Sequence, residues 1–387
     1  MARLDTLVVG GGIGGLTTAL ALALHKRRVH VVEKAPEFGE IGAGLQLAPN
    51  AMQVLDRIGV LPEIAKHAVY PSRLVWMDAL SGTRITAVDL GEAFQKRYGH
   101  PYIVMHRSDL LSVLLEACKA NKLITLEASR TLASVEDLGD AARARFSDGT
   151  VYETELLIGA DGLWSTVRGA IVKDEPVCMG YVAYRGTLPI EQMSRHAGLD
   201  NVVMWIGPDM HFVQYPIRRG ELYNQVAVFR SKRYVPGSDQ WGLVEELDAH
   251  YAQTCEYVQG CIKVMWRDKR WPMHDRLPVL TWTKNRIGLL GDAAHPMFQY
   301  IAQGACQAIE DGLCLARHVG GGTEPAKALV AYEAERRLRT ARVQLTARAM
   351  GAFFHLEGIP AMVRNDMMLR RAHDDYSMLD WLYGHKV

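Results

Sequence analysis

A short apolar run, Leu4 to Val9, leads straight into Gly10-Gly-Gly12-Ile-Gly-Gly15, and Leu16 to Leu24 then continues with helical character. This is a buried parallel strand, a tight turn and a helix. The first glycine permits the turn, the second lets backbone approach a pyrophosphate, and the third allows the helix to pack closely on the strand. Free amides at the helix N-terminus then face phosphate charge. A second strand, Val29 to Val32, ends at Glu33, about 20 residues on, where an acid accepts from a ribose and repels a 2′-phosphate. The chain is thereby committed to a doubly wound α/β sheet with a dinucleotide on it. FAD or NAD is favoured over NADP at this turn, and no second fingerprint of the kind follows.

The 387 residues suffice for a large core or two intimately packed domains. A net charge of +1 offers no broad field for nucleic acid or an anionic membrane surface. Cys118, Cys178, Cys255, Cys261, Cys306 and Cys314 are scattered without metal-like pairs, so no zinc site or disulfide framework is expected and reduced thiols in the cytoplasm are. Residues 6–24 lack charge, but Asp5 precedes them and five glycines interrupt them, which separates them from a signal peptide. No other stretch is apolar for long enough to span a bilayer. The basic run Glu335 to Arg342 is expected to be a solvated helix face.

Nucleotide-type segments (1–73, 101–175 and 273–330) alternate with strand-rich ones (74–100 and 176–272), and 331–387 is expected to be a C-terminal helical segment. The runs Leu74–Met77, Tyr181–Gly186, Val202–Trp205, His211–Tyr215 and Gln225–Phe229 point to an antiparallel sheet. The expected fold is thus α/β: a discontinuous Rossmann-like domain interleaved with an antiparallel-sheet substrate domain. Helical periodicity dominates from Pro325 on, with Ala328, Ala331, Ala334 and Leu338 as its early stripe.

Two further motifs carry chemistry. Asp161-Gly162, followed by Trp164, Ser165 and Arg168, offers a turn to a pyrophosphate. The apolar strand Arg286 to Leu290 ends in Gly291-Asp292-Ala-Ala-His-Pro296, placing the Asp292 carboxylate at a strand's carboxyl end, where open α/β sheets bind ligands. A helix is expected after Gly304, with its free amides toward the ligand. Taken singly, each acid is as well explained as a turn or helix cap. Three motifs in this order are not.

Together they make nearly the whole chain resemble the single-component flavoprotein aromatic hydroxylases, the group of 4-hydroxybenzoate, salicylate and 3-hydroxybenzoate monooxygenases. The resemblance implies FAD held by Gly10, Gly12, Gly15, Glu33, Arg107 of His106-Arg-Ser-Asp-Leu110, Asp161, Gly162, Asp292, Gly304 and Ala305. Where the family often has Gly-X-Asn, this chain has Gly304-Ala305-Cys306-Gln307. It also implies reduction of the flavin by NADH or NADPH, addition of O2 to give a C4a-hydroperoxide, oxygen transfer to an electron-rich ring, and a homodimer.

On the strand His211 to Tyr215, period-two geometry puts His211, Val213 and Tyr215 on one face, the outer two about 13 Å apart. That spans a small aromatic acid. A histidine, a tyrosine four residues later and a glutamine in a Phe-Gln-Tyr segment resemble the pocket of 3-hydroxybenzoate 6-hydroxylases, which casts His211 and Gln299 as polarisers of a phenol and Tyr215 as an anchor. Each of the three is also compatible with an ordinary core position. Trp76, Met204, Trp205 and Met210 are expected to be pocket wall or core, and Tyr184-Arg185-Gly186 to lie near the flavin or simply in a sheet.

The activity expected from the resemblance is conversion of 3-hydroxybenzoate to 2,5-dihydroxybenzoate (gentisate) with NADH and O2. Salicylate or 6-hydroxynicotinate hydroxylation are the near alternatives. A flavin-binding redox module without oxygen transfer, or an NAD dehydrogenase, is the distant one. The Trp-X-Trp-X-Ile-Pro motif of flavin halogenases is absent.

Overall fold

The computed structural model describes residues 3–39, 42–193 and 200–387. One sheet is built around Leu4–Val9, which pairs in parallel with Val151–Gly159 on one side and Val29–Val32 on the other. Ile124–Glu127 and Ile287–Leu289 extend it in parallel at either side. Its central residues Leu7, Val8, Leu157 and Ile158 have no solvent exposure, as expected of parallel strands that read as continuous apolar runs. The hairpin Leu132–Asp137 and Ala142–Phe146 joins antiparallel through Val151–Gly159.

The helix Ile13–Leu24 packs against Gly304–Gly320 so closely that a Cβ on Gly312 would lie 3.1 Å from the Thr18 amide. This contact brings the first glycine turn and the late Gly-Asp segment, almost 300 residues apart in sequence, to one end of the sheet. Asp311 completes the link by accepting from the Gly291 amide at 2.8 Å.

The second sheet has seven strands in the order Arg270–Asp275, Val177–Pro189, Leu222–Arg230, Met210–Ile217, Val202–Gly207, Arg73–Asp78 and Arg84–Asp89. It is antiparallel except that Val202–Gly207 and Arg73–Asp78 run parallel. The expected wholly antiparallel pairing fails there because the chain between those strands passes through the nucleotide half, and a long crossover lets a strand return in the same direction. One face packs on the helices Val244–Tyr251 and Glu256–Val264 through Trp205, Phe212 and Phe229. Cross-strand neighbours on the other face, Thr86, Trp76, Met204, Val213, Val226 and Arg185, form one row directed at a cavity.

The helix Pro325–Phe354 corrects two expectations. Arg336 is fully buried rather than solvated, donating to Asp311 Oδ1 at 2.7 Å, to Gln307 Oε1 at 2.8 Å and to Glu310. Arg339 also reaches Glu310. Leu338, placed on the apolar stripe by periodicity, is 77% exposed. The physical reason is the facing helix: Gly304–Gly320 presents two buried carboxylates, and the helix turns its cations rather than Leu338 toward them. No helix among the described residues is long and apolar enough to cross a membrane.

Candidate active site

A cavity of about 840 Å³ lies between the two sheets, a size typical of small-molecule sites. Its nucleotide end is lined by Gly10, Gly12, Glu33 and Arg107, and by Asp161, Gly162, Asp292, Gly304 and Ala305. Gly10 adopts φ +112°, and a Cβ there would sit 2.3 Å from the Ala160 carbonyl oxygen. Nothing lies within 4 Å of a Cβ placed on Gly12, so backbone there is open to the cavity. Gly15 does not line it. Its missing side chain leaves room for the Gly10 carbonyl, 2.0 Å from where a Cβ would stand.

The helix behind this turn has no side-chain N-cap and no acid in its first turn, which leaves its first amides for a ligand. Glu33 bridges the glycine turn and its own loop, accepting from Gly11 N at 2.8 Å and Ala35 N at 2.9 Å, with lone pairs left for ribose hydroxyls. Such a cradle fits the ADP part of FAD.

The Asp161 carboxylate is a helix cap: it accepts from Ser165 Oγ at 2.5 Å and from Thr166 N at 2.8 Å. Its neighbour Gly162, at φ +79°, presents the open turn. Arg168 is buried and donates to the carbonyls of Ala293 and Ala294 at 2.8 and 2.7 Å, while Asp174 pairs with its Nε at 2.8 Å. One motif thus braces the other. Asp292 opens into the cavity, where burial raises its pKa against the lowering effect of Arg107 and His295. The helix beginning at Gly304 also lacks an acid in its first turn. A carboxylate that can accept from a ribityl chain, beside free amides that favour negative charge, fits the flavin end of the same cofactor.

Away from the glycine turn, His211, Tyr215 and Gln299 line the same cavity. His211 and Tyr215 lie on the strand Met210–Ile217, facing the cavity with Val213 between them. His211 is 2% exposed; its Nδ1 is 2.9 Å from His355 Nε2, and burial lowers its pKa to about 3. Tyr251 OH donates to the His211 carbonyl at 2.7 Å and fixes the strand from behind. Tyr215 is buried, which pushes its pKa up. The strand Gly44–Leu47 passes over its ring so closely that a Cβ on Gly44 would come within 2.5 Å. Gln299 opens the short 3-10 turn Gln299–Ile301, and the Tyr300 ring packs 5.2 Å from that of His211.

Met204 and Trp76 line the cavity, whereas Trp205 and Met210 belong to the core behind the sheet. Arg185 is on the cavity-facing row. Sequence reasoning missed His355, which follows a long helix with nothing to pair it to residue 211. It also missed Gln46, which accepts from Tyr102 OH at 2.6 Å beside Tyr215. The C-terminal residues Met368, Arg371, Leu379 and Trp381 return to line the cavity as well. Cys314, His318 and Glu335 approach one another within 4.8 Å on the far side, but Arg317 donates to both Glu335 and Cys314 there.

Comparison with known proteins agrees with this geometry. A family model described as an FAD binding domain matches residues 3–347. The chain is 40% identical to a 3-hydroxybenzoate 6-hydroxylase of Polaromonas naphthalenivorans, covering 100% of this chain and 97% of that one. It is 38% identical to 3-hydroxybenzoate 6-hydroxylase 1 of Aquipseudomonas alcaligenes, over 99% and 98%. Among solved structures, Klebsiella pneumoniae HpxO complexed with FAD and uric acid superposes with a TM-score of 0.85 at 24% identity, covering 98% of this chain and 97% of that one, a likeness of fold. The chain belongs to the FAD-binding family of single-component aromatic hydroxylases.

Proposed function

We propose that this enzyme hydroxylates a phenolic aromatic acid, converting 3-hydroxybenzoate to 2,5-dihydroxybenzoate with NADH and O2. The observation that carries the reading is that His211, Tyr215 and Gln299 line the same cavity as Asp292, Gly304 and Ala305. The names of the two relatives, each similar along the whole chain, support the same substrate. A homodimer in the cytoplasm is the setting we infer from the family, and sedimentation of the purified protein tests the assembly.

When bound, the flavin supplies reduction by a nicotinamide and activation of dioxygen. The chain's own residues bind and polarise. His211, neutral at pH 7 because it is buried, offers its ring Nε2 to the substrate hydroxyl, and Gln299 supplies an amide beside it. Tyr215 stays protonated and can donate to a ring substituent or carboxylate. The apolar wall of Trp76, Val213 and Val226 keeps water from the reacting atoms.

The test is a panel of 3-hydroxybenzoate, salicylate and 6-hydroxynicotinate, scored for NADH consumed and for product identified by chromatography. We expect 2,5-dihydroxybenzoate from the first at a yield close to the NADH oxidised. Product from another acid only would overturn the substrate, and NADH oxidation without any hydroxylated product would overturn oxygen transfer.

A further inference from the structure

We propose that His355 is the second member of a two-histidine relay, taking up through His211 the proton that leaves the substrate's hydroxyl. This rests on the reading of the site as a phenol hydroxylase and adds a residue to it. His355 stands at the end of the helix Pro325–Phe354, behind His211 and off the cavity wall. Its backbone is fixed from both sides, its N–H donating to Gly351 O at 3.2 Å and its carbonyl accepting from Asp209 N at 3.3 Å. Its ring is stacked on that of His211 at 22° between planes, with Nε2 2.9 Å from His211 Nδ1.

Three features make the pair more than packing. The two rings are 2% and 7% exposed, so neither can exchange a proton with bulk water directly. His355 Nδ1 has no hydrogen-bond partner among the described residues, so the ring's single polar tie is to His211. Finally, His211 alone of the pair reaches the cavity. The surroundings keep both rings neutral: Tyr181 and Tyr300 lie against His355 at 5.0 and 5.5 Å between centroids, and His250, Arg364 and His211 all disfavour a charge on it.

The proton steps balance without a further reactant. The phenol O–H bond breaks as an N–H bond forms at His211 Nε2. In the same movement the His211 Nδ1 proton passes to His355 Nε2. The substrate becomes phenolate, His211 remains neutral and now donates to that oxygen, and His355 becomes imidazolium. A base this weak does not ionise a resting phenol. As an electrophilic oxygen bonds to the ring, however, the same proton becomes that of a protonated ketone, and a weakly basic, uncharged acceptor then suffices. The pair resets as the oxygenated ring carbon loses its hydrogen as a proton, taken up by the oxygen atom of O2 that is not transferred, and the proton held on His355 returns through His211 to the substrate oxygen while the product regains aromaticity.

The test uses FAD-loaded wild type, His355→Leu and His355→Gln, with FAD content and melting temperature recorded for each. Without turnover, 3-hydroxy-4-nitrobenzoate serves as a bound probe whose phenolate absorbs in the visible, titrated between pH 5 and 9. Because the pair does not ionise a resting phenol, we expect its bound pKa to agree within about half a unit in all three proteins, which shows that the pocket is intact. With 3-hydroxybenzoate, we expect product per NADH to fall at least fivefold in both variants, the missing equivalents appearing as hydrogen peroxide. Leucine removes the tie, whereas glutamine can keep it but cannot take a proton. Glutamine behaving as wild type would reduce His355 to an orienting residue, and product per NADH equal to wild type in both variants would remove the relay altogether. Should leucine prevent FAD binding, the glutamine variant alone decides. If wild type makes no product from 3-hydroxybenzoate, the substrate reading fails, and the same comparison of product per NADH on whichever panel acid wild type hydroxylates decides the relay.

Discussion

The two ends of the cavity are stabilised by opposite means. Behind the nucleotide end, Glu310, Asp311 and Arg336 form a buried ionic cluster, with His295 2.6 Å from Asp311 and Asn50 2.6 Å from Glu310. Arg168 and Asp174 add a second pair beside it. At the substrate end, the buried polar groups that face the cavity are uncharged at neutral pH: His211 with His355 behind it, and Tyr215. Holding a pyrophosphate and a ribityl chain calls for backbone turns that do not move, and fixed charges lock those turns. Polarising a phenol calls for acceptors and donors that a dry wall keeps neutral until the reaction moves a proton. The arrangement separates rigidity from reactivity along one cavity.

The strongest way to break that contrast is at the ionic cluster. Arg336→Met leaves the Glu310 and Asp311 carboxylates buried with reduced compensation, and removing one partner of such a pair costs roughly 3–5 kcal/mol. We expect a matching loss in denaturant unfolding together with loss of bound FAD, read from the yellow absorbance after gel filtration. A variant that unfolds normally and keeps its flavin would show that the cluster does not lock the Gly291-Asp292 turn.

At the other end the effect should fall on chemistry alone. His211→Ala is expected to lower product formed per NADH by roughly a hundredfold, in the range of lost general acid–base catalysis, with FAD content unchanged. Loss of FAD alongside coupling would mean that the two ends are one mechanical unit.

How much of this contrast is legible in the chain follows the same division. Backbone turns leave glycines at fixed spacing, so Gly10, Gly12 and Gly15, with Glu33 at the next strand's end, can be recognised from residue order alone. Period-two alternation likewise places His211 and Tyr215 on one face. Pairings across the chain leave no local trace. Nothing near residue 336 reveals that Glu310 and Asp311 wait on the facing helix, so a run of arginines looks solvated. Nothing near residue 355 points to residue 211, since 144 positions separate the two rings. Asp161 shows a subtler limit: the motif is visible, but only the folded turn shows its carboxylate capping the next helix while Gly162 faces the cavity.

A smaller effect separates the flavin contact from the cluster behind it. Asp292→Asn keeps the shape of the side chain and removes its charge, and a hydrogen bond to a charged acceptor exceeds a neutral one by about 1.4 kcal/mol, or tenfold in affinity. Titration of FAD into the stripped protein should show a dissociation constant raised by about that factor, with unfolding little changed. An affinity equal to wild type would move the ribityl contact to another residue.

The smallest effect is in the acid dependence of stability, and it distinguishes the ends by window. His211 and His355 have folded pKa values depressed to about 3 and about 2, below the ordinary histidine value near 6.5. Below about pH 6.5 the unfolded chain binds protons that the folded one refuses, so stability is full above that pH and declines as pH falls toward 3. Glu310 is held at about 2 by Arg336 and Arg339 despite its burial, and Asp311 is also lowered, by His295 and Arg336. Their contributions are full above about pH 4.5 and decline only below it. Urea midpoints measured from pH 7 to 5 therefore report on buried histidines and not on the ionic cluster, and because burial also lowers His106, His250 and His385, the substrate end is read from the difference between wild type and His355→Leu. We expect a gentle fall with acid in wild type and a flatter one in His355→Leu, because one refused proton has been removed. An unchanged slope in that variant would mean that the histidine pair is not held neutral by its burial, and the contrast between a charged end and an uncharged one would lose its basis.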